Sequence, residues 1–307
     1  MKKTPFILSL AFAALAAPPP AKTDRAVLRV PYWMEGPTAP VVTAKLNGET
    51  VKVARLLGPH DDLVLLVVLD LAGDLSRVDP ARDALNEQLG NLPPNAVVSL
   101  LRAQDGLRVL LDPTADRAAA RTKIQELTIS GRAGLLDTVE TALALGDAML
   151  EKAKVRVALL YISDSLVTNY REDFANPVVN SSDSGDMSRR FPEAIVKVRM
   201  QQLLAKLGRT QTPLFVVQLN YENDRLNEAY QTGLLELANS TGGSAEFART
   251  LSEIPVAIAR TVERVLAHSS AELEFKRAKA KQWEVELTTE GTGIRHRTRF
   301  LAGVESK

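Results

Sequence analysis

Three aspartates carry the spacing in this chain that suggests chemistry. The stretch VLLVVLDLAGDLS, residues 64–76, is an apolar run that ends in Asp70 and continues through small residues to Asp74. A second apolar run, VRVALLYISD over residues 155–164, ends in Ser163 and Asp164. Carboxylates that close buried parallel strands lie at one edge of a sheet, where the ligands of open α/β sheets bind. Three of them there repel one another unless a hard divalent cation with oxygen ligands relieves the repulsion.

The elements that must hold these residues follow from the hydrophobic pattern. DLVLLVVLD, residues 62–70, has no polar alternation and suits a central parallel strand buried on both faces. Residues 155–164 and TPLFVVQLN over 212–220 repeat that pattern. Between them lie helix-periodic segments. One covers 79–92, with Asp79 predicted as N-cap and Pro80 as first helical residue. Others cover 114–127, 134–150 and RLNEAYQTGLLELANSTGG, closed by Gly242 and Gly243; a further helix ends near His268. Asp137 near a helix start suits the helix dipole, and His268 suits a helix C-cap. Asn47-Gly48 and Asp105-Gly106 each sit between alternating segments and predict hairpin turns. The expected fold is therefore α/β: a doubly wound, mostly parallel sheet with helices on both faces, Rossmann-like, plus a small β segment formed by the N- and C-terminal ends. Residues 165–190 break the pattern as a long polar insert.

Composition narrows the function. The chain has 307 residues, 45% of them apolar, with 38 basic against 37 acidic side chains and no cysteine. Near-zero net charge and the lack of a basic stripe with interleaved aromatics argue against nucleic acid as a partner. The missing cysteines exclude thiol catalysis and cysteine-held zinc. His60, His268 and His296 are far apart, and no G-x-S-x-G, Walker loop or H-E-x-x-H occurs, so no enzyme is expected. At the start, Lys2, Lys3, the apolar stretch 5–15 and Ala14-Leu15-Ala16 match an export signal over residues 1–16, too short to span a bilayer. The mature chain is expected in the periplasm or outside the cell without a transmembrane anchor. Its parts are a leader and β-hairpin segment over 17–60, the α/β domain over 61–268 and antiparallel strands over 269–307.

VVLDLAGDLS, SGRAGLLDTV and VALLYISDS resemble, in order and spacing, the metal-ion-dependent adhesion motifs of von Willebrand factor type A domains. NSTGGSAEF and the final β segment are similar to the bacterial exported VWFA-related group. That family's first motif is Asp-x-Ser-x-Ser, but Ala72 and Asp74 replace its serines; Ala133 stands at the family's threonine, and Ser163-Asp164-Ser165 replaces Thr-Asp-Gly. The resemblance implies a protein-interaction module of the cell envelope. Its contact rim would include Asp70, Asp74, Ala133, Ser163 and Asp164, its partner would be another envelope or extracellular protein, and its adhesion site would be degenerate, without a metal. The alternative is a divalent-cation-dependent adhesin in which Asp70, Asp74 and Asp164 hold Mg²⁺ or Ca²⁺.

Overall fold

The computed structural model describes residues 25–36, 41–72, 74–170, 192–276, 280–290 and 293–302. The export segment 1–16 and residues 171–190 of the polar insert lie outside the described residues. The chain begins with β1 (Arg25–Met34) and the hairpin β2 (Val42–Leu46) and β3 (Glu49–Leu57). Asn47 and Gly48 both take positive φ, 51° and 84°, as a tight turn matched to strand twist requires.

The α/β part runs β4 (Leu63–Asp70), α1 (Leu75–Gly90), β5 (Ala96–Arg102), β6 (Arg108–Thr114), α2 (Arg117–Gln125), α3 (Leu135–Lys152) and β7 (Arg156–Ser163). It continues through α4 (Pro192–Leu207), β8 (Leu214–Gln218), α5 (Arg225–Thr241), β9 (Ser244–Phe247) and α6 (Ile254–Ala267). The strand order is β6-β5-β4-β7-β8-β9, parallel except for β6. The chain thus starts in the middle of the sheet, winds outward through β5 and β6, returns, and winds the other way. The order reverses between β4 and β7.

Alternate residues of β4 explain the layering. Leu63, Leu65, Val67 and Leu69 pack with α1, α2 and α6, whereas Leu66 and Val68 pack with α3, α4 and α5. A strand sandwiched this way has no polar face to show, hence its uninterrupted apolar sequence. One boundary differs from expectation. Helix α1 starts at Leu75 with Asp74 as N-cap, not at Pro80, and Asp79 is an exposed surface residue 3.5 Å from Arg82. Asp74 wins because its carboxylate accepts both the amide and the hydroxyl of Ser76, which leaves Pro80 inside the helix. Helix α4 was not anticipated.

The terminal β segment is not small. After β10 (Ser269–Lys276), β11 (Gln282–Thr289), β12 (Ile294–His296) and β13 (Arg299–Leu301), the sheet reads β12-β1-β10-β3-β2-β11-β13, seven strands against the α/β sheet's six. Its two edge strands are successive in the chain, separated by Arg297 and Thr298, so the sheet curls until one short segment joins both edges. Leu28, Val30, Ala44, Leu273, Val285 and Phe300 fill the inside. The ends of the chain therefore build one body with its own core. Separation in sequence hid this, because the pairings that join the two ends, β1 with β10 and β12, β3 with β10 and β2 with β11, link residues far apart in the chain, and no local signal sets such a register.

That barrel-like body is fastened to the α/β part. Trp33 on its outer side packs 6.1 Å from Phe215 and donates to the Arg264 carbonyl. Arg297 stacks on Phe300 and donates to the carbonyls of Gly208 and Thr210. Arg156, fully buried, donates to the carbonyls of Pro59 and Asp61 before β4 and of Leu266 and His268 at the end of α6.

Candidate functional site

The reversal of strand order puts Asp70 and Ser163 side by side in register. Asp70, Ser163 and Asp164 are all fully buried. The Asp70 carboxylate accepts from the Gly134 amide at 3.2 Å and from the Ser163 hydroxyl at 3.2 Å. Ser163 Oγ in turn accepts from the Ser165 amide. Asp164 takes the Ala72 amide on one oxygen, at 2.9 Å, and the Asp74 amide on the other, at 2.8 Å. Its own amide bonds the Asp70 carbonyl.

Two of these donors belong to helix starts: Gly134 is the N-cap of α3 and Asp74 the N-cap of α1. Helix N-termini offer unpaired N–H groups and a positive dipole end, so they suit buried carboxylates. Gly134 is required by space, since a Cβ there would overlap the Ala103 carbonyl. Burial, reinforced by the charge of Asp164, pushes the Asp70 carboxyl up to about 7, against the lowering hydrogen bonds from Gly134 and Ser163. Beneath it Tyr161 donates to Thr138, whose hydroxyl bonds the Gly134 carbonyl.

Of the residues singled out in the sequence, Asp70, Ser163 and Asp164 come together. Asp74 comes near only through its backbone. Its carboxylate turns to Ser76 and Arg77, whose bonds, that of the Ser76 hydroxyl foremost, hold it below the usual range. The expected trio of carboxylates is thus a pair plus a helix cap. Ala133 is buried, its amide on the Asn169 carbonyl. Asp137 lies on the outside in the first turn of α3 and pairs with Arg199. His268 is the buried C-cap of α6, its ring nitrogen 2.6 Å from the Val265 carbonyl.

A divalent ion of the kind the adhesin alternative requires does not fit these donors. Among the described residues no group of three or more acidic, histidine or cysteine side chains could hold a metal. Ala72 and Ala133 bring no side-chain oxygen, and the Ser163 hydroxyl is committed to Asp70. The carboxylates face N–H dipoles whose positive ends also repel a cation.

Of the surface beside this pair, the sequence reading singled out Ser165 but none of the other side chains. Arg77 reaches from the first turn of α1 to the Leu219 carbonyl just past β8. Next come Tyr221, with Phe247 edge-on at 6.0 Å and the Arg249 guanidinium 4.8 Å above its ring. Leu75 at 71% exposure and Leu251 at 46% lie at the starts of α1 and of the turn before α6. Gln218 Oε1, Asn220 Oδ1 and Ser165 Oγ are buried and have no hydrogen-bond partner among the described residues, although the Gln218 amide nitrogen bonds the Ser165 and Asn220 carbonyls. The signal available in sequence was position: all close or follow strands that were recognised.

No family model matches the chain, and no curated protein matches it. Solved structures do. The chain is similar to a von Willebrand factor type A protein from Catenulispora acidiphila, with 8% identity, 87% of this chain and 75% of that one covered, and a TM-score of 0.47. It is similar to the conserved hypothetical protein BatB from Bacteroides thetaiotaomicron, at 14% identity over 67% and 98% of the two chains and a TM-score of 0.41. It is also similar to the vWF domain of the type V pili tip protein Mfa5 from Porphyromonas gingivalis, at 12% identity over 68% and 95%, with a TM-score of 0.44.

Proposed function

We propose that this chain is a non-enzymatic protein-interaction module of the bacterial cell envelope, exported, that grips a protein partner through its strand-end rim without a metal. The observation that carries the reading is the closure of the Asp70–Asp164 pair. Each carboxylate is buried and engaged by backbone N–H groups, so neither is left to complete a cation's shell or to polarise a substrate. No described histidine bonds to this pair; His60 is exposed, His268 caps a helix, and His296 bonds the backbone of β11.

What remains for a partner is the neighbouring face of Leu75, Tyr221, Phe247, Arg249 and Leu251. Tyrosine and arginine are over-represented among residues that dominate protein interfaces, and a pre-stacked pair loses little freedom on binding.

The test is capture of envelope proteins by the purified chain with and without chelator, repeated with Tyr221→Ala/Arg249→Ala and titrated by calorimetry with Mg²⁺ and Ca²⁺. Capture should survive chelation, fall about tenfold or more in the double variant, and show no heat with either ion. Micromolar ion binding that Asp70→Ala abolishes would instead establish the cation-dependent adhesin.

A further inference from the structure

Far from the strand-end rim, one end of the barrel-like body collects cations. Arg25 and Lys276 stand directly opposite each other in the β1–β10 register, and Lys52 faces Glu274 across the β10–β3 pair. Glu274 answers Arg25 at 2.7 Å and Lys52 at 3.3 Å, and the hydrogen bonds from Arg25 and Lys52 hold its carboxyl below the usual range. Lys276 and Lys281 flank the β10–β11 connection, both exposed. The acidic groups nearby are Glu274, Glu49 on β3 and Glu284 on β11, the last opposite Arg299. Like charges placed directly across an antiparallel pair cost stability, yet the register holds Arg25 and Lys276 there in a chain whose overall charge is only +1.

Two further observations say what such an end meets. Phe275 and Trp283 form an edge-on pair, ring centres 5.0 Å apart, both half-buried, immediately inside Lys276 and Lys281. Aromatic rings next to lysines match the composition of a membrane interface. Three of the four cations are lysines, compact hydrated charges suited to a diffuse anionic surface; a forked arginine suits a single defined anion.

We propose that this basic end of the barrel docks on an anionic lipid surface and leaves the strand-end rim to the protein partner. The experiment is co-sedimentation of the full chain with vesicles of phosphatidylcholine alone or mixed with phosphatidylglycerol, at low and high salt. The comparison variant is Lys276→Glu/Lys281→Glu, both positions exposed, with its melting temperature checked against the parent chain. Binding should require the anionic lipid, weaken with salt, and fall about fivefold for each cation lost, so about 25-fold or more in the double variant. Equal binding to neutral vesicles, indifference to salt or an unchanged double variant would assign adhesion to the apolar leader and overturn the proposal. So would retention on soluble polyphosphate without vesicle binding.

Discussion

The two edges of the parallel sheet solve one problem with opposite signs. At the strand ends, buried Asp70 and Asp164 are held by amide N–H groups at or beside the starts of α1 and α3. At the strand starts, buried Arg156 is held by carbonyls, two of them at the end of α6. Doubly wound topology imposes this: helices that return from strand end to strand start aim their positive ends at one edge and their negative ends at the other. A carboxylate placed at the second edge or a guanidinium at the first would meet groups of its own polarity. The first edge is left with a closed anionic pair beside an exposed rim, and the second becomes the seam to the barrel.

The sharpest attack on this comparison is at the seam. Arg156→Met removes a fully buried guanidinium and its bonds to four carbonyls and should cost about 3 kcal/mol or more in urea unfolding. Arg156→Lys should recover only part, since an ammonium cannot span the same fork. A loss under about 1 kcal/mol would mean that the seam does not depend on this group. The matching attack on the rim is Gly134→Ala, which drives a methyl into the Ala103 carbonyl. Its expected cost is about 2 kcal/mol or more, read as a lower melting temperature.

Protonation separates the edges more gently. Asp70 binds its proton more tightly folded than unfolded, about 7 against 3.8, so between roughly pH 4 and 7 the native state holds the extra proton and stability falls as pH rises. His268 behaves oppositely. Burial, helped by the nearby Arg156 charge, lowers it to about 4 from 6.5, so the unfolded state binds the extra proton and stability falls as pH drops from about 6.5 to 4. Melting curves across pH 4–8 should show the first slope removed in Asp70→Asn and the second in His268→Phe; equal slopes in both variants and the parent would break the comparison. The smallest effect concerns the metal. Millimolar Mg²⁺, Ca²⁺ or chelator should leave the melting temperature unchanged, and a rise of several degrees with one ion would reopen the cation-dependent reading.

Much of the α/β half was legible because its strands are continuous apolar runs and its helices carry local caps and stops. Asp116 and Asp224 cap α2 and α5 through their own side chains, and Gly242 closes α5 with a φ of 87°. The barrel was only partly legible, because β1 pairs with β10 and β2 with β11, and nothing local in either strand specifies a partner so distant. The rim divides the same way. Motif spacing located Asp70, Ser163 and Asp164, but the engagement of Asp74 as a cap, the Gly134 donor and the Tyr221–Arg249 stack all depend on side-chain direction.

By itself the sequence determined which segments are buried, where the turns fall, and that two apolar strands end in aspartates, because burial pattern, turn chemistry and capping are short-range properties of the chain. Only the tertiary structure decided that those aspartates are satisfied by helix-start amides, that the chain's two ends close one barrel, and that scattered lysines share one end of it. Those outcomes rest on pairings between residues far apart in sequence, whose energies exist only once the sheet has curled and the helices have docked.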